Sequence, residues 1–210
     1  MSVRRLAQLL VTLSVVLPAS CSGGRFGGEK ESALVAATAA HDVARVQSLL
    51  EAGANPNLMV PYDALNESPW WIALDQLRPR TAAADVAIIK AMLKAGADPT
   101  AAWGEATSRG ITRRHSNPPI QMVMLNPDVN AVRALLDTGR TSGAEGTALL
   151  MAIEQGEAEI AHLLVESGVD VNSTHGGPHT PLVAAIERRD KKMIAYLEEH
   201  GALERPPSLR

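Results

Sequence analysis

Ile160-Ala-His-Leu163-Leu164-Val165-Glu-Ser-Gly168-Val-Asp-Val-Asn172, followed after seven residues by Thr180-Pro-Leu182-Val-Ala-Ala185, decides the fold of this 210-residue chain. Ile160, Leu163, Leu164 and Val165 recur at helical spacing, so the run predicts an amphipathic helix. Gly168 closes it, because glycine adopts the left-handed conformation that ends a helix without steric cost. Asp170 and Asn172 then supply turn chemistry. Thr180 offers a hydroxyl cap and Pro181 a first helical residue with no amide donor to waste, which predicts a second, small-residue helix from Leu182.

Outward from this stretch the same phrase returns. Leu49-Leu50-Glu-Ala-Gly53, Met92-Leu93-Lys-Ala-Gly96 and Leu135-Leu136-Asp-Thr-Gly139 repeat Leu164-Val165-Glu-Ser-Gly168, and Leu197-Glu198-Glu-His-Gly201 repeats it with a charge in the second slot. Start signals repeat as well: Ser32-Ala-Leu34, Ser68-Pro69-Trp70 and Thr147-Ala-Leu149 stand where Thr180-Pro-Leu182 stands. Each unit therefore reads as a short capped helix, a polar break such as His41-Asp42 or Arg189-Asp190, and a second amphipathic helix. Repetition at this period predicts a solenoid of stacked units.

These residues resemble the ankyrin-repeat pattern of Thr-Pro-Leu, a run of alanines, a leucine-rich second helix and Gly-Ala-Asp-Val-Asn. The likeness covers about Ser32 to Ala202 and is fullest from Thr147 to Gly201. It implies an all-α solenoid of about five helix-turn-helix units with hairpin-like loops projecting from one edge, working as a protein-binding module. By alignment to that pattern the groove contacts are Trp71, Asp75, Gln76, Asn126, Glu154, Gln155, Glu187 and Arg188.

Departures from the pattern lie in the middle. The second unit carries about seven extra residues around Asp75 to Ala84, and a long loop separates Thr100 from Pro119. In the third unit Pro118-Pro119-Ile120 has no hydroxyl cap, and Met122, Val123 and Met124 replace the alanines. Glu187, Arg188, Arg189, Asp190, Lys191, Lys192, Glu198 and Glu199 give the last unit the polar face a terminal repeat needs.

Composition agrees with helices packed through small side chains: 46% of residues are hydrophobic but only 3% aromatic, which disfavours a β-sandwich or barrel. A net charge of -3 argues against a nucleic-acid partner. Residues 1–20, with Arg4-Arg5 ahead of the apolar run Leu6 to Leu17, have the layout of a secretory signal. Leu17-Pro-Ala-Ser-Cys21 is similar to the lipobox of bacterial lipoproteins, with Pro18 where an aliphatic residue is usual, so the single cysteine, Cys21, is a candidate lipidation site. Ordinary cleavage near Ser20 or Ser22 is the other reading. Residues 21–31 then serve as a linker, 32–204 as the repeat domain and 205–210 as a loose tail. The expected location is the periplasm or cell envelope, with secretion the alternative where Cys21 is not lipidated, and the expected state is a monomer.

Catalysis finds no support in the motifs. His175 and His179 flank a Gly-Gly-Pro turn that does not align them, and Asp170 is the only nearby carboxylate that could join them on a metal. His162 sits within a helix, and Cys21 lies outside the repeats. No catalytic residue, metal or cofactor is expected, and a hydrolase or metal-dependent enzyme ranks last. Two tryptophan positions are candidate contact anchors. Trp71 stands nearer the groove than Trp70, which fills the leucine slot; packing of both under the inserted loop is the alternative. Trp103 shares the long loop with Arg109, Arg113, Arg114 and His115. A protein partner is expected, with two specific roles open: immunity-type inhibition of a toxic or lytic enzyme, or a scaffold for an envelope enzyme.

Overall fold

The computed structural model describes residues 27–62, 65–78, 82–101, 104–108, 111–115, 117–140, 142–174 and 179–203. The segments 1–20 and 205–210, and Cys21, lie outside them. Among the described residues ten helices form five helix-turn-helix pairs: α1 (Glu29–Ala39) with α2 (Val43–Glu51), α3 (Pro69–Asp75) with α4 (Ala82–Lys94), α5 (Pro119–Val123) with α6 (Val129–Leu136), α7 (Glu145–Gln155) with α8 (Ala158–Glu166), and α9 (Pro181–Glu187) with α10 (Lys191–Glu199). First helices stack in the order α1, α3, α5, α7, α9 and second helices as α2, α4, α6, α8.

The core follows from the pattern. Leu34, Leu149, Leu182, Leu164 and Leu197 are at most 2% exposed, and each such burial is worth about 1.5–3 kcal/mol. Ala37, Ala73, Ala148, Ala152, Ala184 and Ala185 are all buried, and their small size lets neighbouring first helices approach closely. In the third unit the buried Met122, Val123 and Met124 fill that space around a helix of only five residues. Trp70 takes the leucine slot as expected and is 3% exposed.

All five closing glycines have positive φ, between 66° and 91°. At Gly53 the amide of Ala54 reaches back to the Leu49 carbonyl and that of Gly53 to Leu50, both at 3.0 Å, which satisfies two carbonyls left over at the helix end. Ala97 to Met92, Val169 to Leu164 and Ala202 to Leu197 repeat the longer bond. In the third unit Thr138 Oγ1 donates to the Leu135 carbonyl at 2.7 Å instead and accepts the Arg140 amide at 3.2 Å.

The structure corrects one expectation. Ser68 and Thr180 cap α3 and α9 as read, but Ser32 and Thr147 lie inside α1 and α7. In α1 the Glu31 carboxylate takes over the role, accepting the Gly28 and Asn55 amides at 2.7 and 3.0 Å, so the helix extends back to Glu29. In α7 the Glu145 carboxylate accepts from the Ser142 amide and hydroxyl, with the same result. Two of the loops form the projecting hairpins that the resemblance implied: β1 (Val60–Tyr62) with β2 (Leu65–Glu67), and β3 (Gly104–Ser108) with β4 (Ile111–His115). Their registers pair Val60 with Glu67 and Gly104 with His115, and β2 lies beside β3. The extra residues of the second unit fall between α3 and α4, where Leu77 is buried and the Arg78 guanidinium donates to the Asp75 and Leu77 carbonyls.

Candidate protein-binding face

Each first helix starts at the hairpin edge of the stack and ends at the opposite, turn edge. Of the nine sequence-proposed contacts, Trp71 lies at the hairpin edge and seven at the turn edge, while Trp103, like His175, lies outside the described residues.

Along the turn edge, Gln76, Asn126, Gln155 and Arg188 occupy one aligned position at the ends of α3, α5, α7 and α9. Two of them tie neighbouring units together. Gln155 Nε2 donates to the Met124 carbonyl at 3.0 Å, and the Arg188 guanidinium donates to the Glu154 carbonyl. Those carbonyls sit at the ends of helices, where no intrahelical donor remains. Asp75, Glu154 and Glu187 are exposed beside this column. Gln76 Oε1 is buried with no partner among the described residues. His41 Nδ1 contacts Asp85 Oδ1 at 2.6 Å at the same edge, joining the first unit to the second. His179, the other half of the suggested histidine pair, is exposed with Nδ1 3.9 Å from Glu187 Oε2, and no group of potential metal ligands occurs among the described residues.

At the hairpin edge the loops after α2, α4 and α6 converge. Asn57 Nδ2 donates to the Gly96 carbonyl at 2.8 Å while its Oδ1 accepts the Asp98 amide at 2.9 Å. Asp98 Oδ1 in turn accepts the Thr100 amide at 2.9 Å, the Thr100 hydroxyl at 2.7 Å and Arg140 Nη2 at 3.0 Å. Burial raises the affinity of this carboxyl for a proton, but the Thr100 hydrogen bonds and the Arg140 charge outweigh it and hold Asp98 below the usual carboxylate range. The Trp70 indole N–H donates to the Asp98 carbonyl at 2.9 Å, and Ser68 Oγ accepts the Trp71 amide at 3.2 Å. Met59, Trp70 and Trp71 line an open cavity of about 440 Å³ here, together with Asn57, Ser68, Asp98 and Arg140.

Residues 120–204 match the family model of ankyrin repeats, in three copies. The fold is an ankyrin-repeat solenoid. The structure continues the same stack through α1 to α4, ahead of the matched segment, and the cavity is lined mainly from that earlier half, with Arg140 from the matched one. No curated protein matches the chain. Ankyrin repeats are protein–protein interaction modules, and in general they carry no catalytic chemistry.

Trp71 is thus the sequence-proposed contact that the structure places on the cavity, 8% exposed and in its wall. Met59, Asp98 and Arg140 were not among the proposed contacts. Arg140 had a signal: it follows a closing glycine where the other units have Ala54, Ala97, Val169 and Ala202. One long cation in an otherwise apolar column marks a residue that leaves the core.

Proposed function

We propose that this chain is a non-catalytic binding module exported to the bacterial cell envelope, tethered there through Cys21, which grips a protein partner at the hairpin edge. The observation that supports it is the cavity at the base of the hairpins: two tryptophans and a methionine beside polar groups and one exposed arginine offer a partner both apolar contact and a charge. Export and tethering rest on Arg4-Arg5, the apolar run to Leu17 and Cys21. No helix among the described residues is long and apolar enough to cross a membrane.

Affinity capture from envelope extracts with the full chain as bait, followed by mass spectrometry, tests the reading. A stoichiometric protein partner supports it, and capture of none overturns it. If the partner is a lytic or toxic enzyme whose activity falls on binding, the role is inhibition; if its activity persists, the role is a scaffold. For the tether, Cys21→Ala should leave the membrane fraction or stall in processing, and unchanged fractionation would sink that part.

A further inference from the structure

We infer that the cavity at the hairpin base is a specificity pocket for an extended partner segment in which an aliphatic or aromatic residue stands one to three positions from an acidic one. The inference rests on the protein-binding reading and names the chemistry that such a partner presents.

The apolar half of the argument is the wall. Met59, Trp70 and Trp71 are 7%, 3% and 8% exposed, so the wall is set by packing before anything binds. Trp70 is fixed further by its indole bond to the Asp98 carbonyl. An open space of about 440 Å³ lined by these side chains together with Asn57, Asp98 and Arg140 has the size of a ligand site.

The charged half is Arg140. Its side chain is 56% exposed, and among the described residues its guanidinium pairs only with Asp98 Oδ1, at 3.0 Å. Guanidinium has five N–H donors, so one contact orients it and leaves a fork for a second carboxylate, the geometry that charge-assisted bidentate pairs use. Asp98 is 39% exposed, and its Oδ1 already accepts from Thr100 twice and from Arg140. The Thr138 hydroxyl takes over the Leu135 carbonyl and the Arg140 amide, and at the residue after this one closing glycine the chain departs from the hydrogen bonding of the other units.

Reach sets the spacing. Wall and guanidinium line the same space of about 440 Å³, roughly 8 Å across. Extended chain covers that distance in about three residues at roughly 3.3 Å each.

Three capped, fluorescent glycine-rich peptides test this against the full chain by fluorescence polarisation: one with leucine two positions before aspartate, one with asparagine replacing the aspartate, one with glycine replacing the leucine. The first should bind about tenfold tighter than either other, a difference of about 1.4 kcal/mol. Arg140→Gln should reduce the aspartate peptide to the asparagine peptide's level and leave the latter unchanged. Arg140→Lys should keep part of the preference. Because Arg140 is exposed, these variants keep the fold, which circular dichroism checks. Equal binding of all three peptides, binding of none, or indifference to Arg140→Gln overturns the pocket. A captured partner that binds Arg140→Gln as well as the native chain also overturns the pocket while leaving the module reading intact. Absence of any protein partner sinks the module reading instead.

Discussion

Asn57 and Asn172 perform one task at opposite ends of the stack. Asn172 Nδ2 donates to the Gly201 carbonyl at 3.0 Å and its Oδ1 accepts the Leu203 amide at 2.8 Å, which repeats atom for atom the clasp of Asn57 on Gly96 and Asp98. Both stand four residues after a closing glycine. Thr100 and Gly143 hold that place in the second and third units, so neither middle junction has the amide clasp. Between the second and third units the Asp98–Arg140 ion pair bridges the loops instead.

Loss of a clasp should be felt locally, because each repeat contacts only its neighbours. Asn172→Ala removes two hydrogen bonds and should cost about 1–3 kcal/mol in urea unfolding. Hydrogen exchange should quicken in α9 and α10 and remain unchanged in α1 to α4. Uniform loss of protection along the chain would contradict the clasp's local role.

A second prediction concerns His41. It holds a left-handed backbone (φ 55°), a conformation that Gly156 supplies in the fourth unit and that costs a non-glycine residue about 1 kcal/mol. Its compensation is the 2.6 Å contact with Asp85, which is 3% exposed and, among the described residues, otherwise accepts only the Arg78 amide at 3.4 Å. His41→Ala should therefore destabilise by about 3 kcal/mol, since it strands a buried carboxylate. Asp85→Asn should cost less, and a double-mutant cycle should return a coupling of at least about 1 kcal/mol. Additive losses would mean that the pair does not interact in solution.

What could be read from the residues was local. Gly53 and Gly201 announce helix ends because the conformation they need belongs to one residue, and Thr180-Pro181 announces a start for the same reason. The Asp98–Arg140 bridge was not legible, since its members belong to different units and nothing near either one names the other. Ser32 misled because its competitor, Glu31, gains its advantage from the amide of Asn55, far along the chain. The β3–β4 hairpin was expected in kind, as a projecting hairpin-like loop, but its register, Gly104 with His115, was not legible because Thr100 to Pro119 shows no repeat phrase to align on.

Acid should loosen the hairpin edge first. Burial pushes the Glu31 carboxyl up, but the amides of Asn55 and Gly28, its own amide and Lys30 outweigh that and hold it low, as Thr100 and Arg140 do for Asp98. A carboxyl depressed in the folded state contributes stability above its unfolded value and loses it as pH falls through the folded one. Urea midpoints should be level near neutrality and decline below about pH 4. Glu31→Gln should flatten that decline more than Asp98→Asn, because Asp98 is 39% exposed and screened by solvent. An unchanged acid profile in Glu31→Gln would contradict the assignment.

The two edges should separate binding from stability. Gln155 and Arg188 are exposed enough to touch a partner, yet each is held in place by a bond to a carbonyl of the preceding unit, Met124 and Glu154 respectively. A glutamine or arginine held this way is a tie between units. Gln155→Ala and Arg188→Ala should each lower stability by about 0.5–1.5 kcal/mol and leave partner affinity within twofold. A β-carbon at Gly156 would come within 2.5 Å of Arg188 Nη2, so Gly156→Ala should displace that tie and add the strain of positive φ, costing more than Gly53→Ala, where nothing lies within 4 Å. Arg140→Gln should do the reverse, weakening a captured partner about tenfold with little change in the urea midpoint. Calorimetric affinities and urea midpoints measured on the same preparations check both halves. If Arg188→Ala weakened the partner more than Arg140→Gln, the turn edge would be the binding face and the hairpin edge the scaffold.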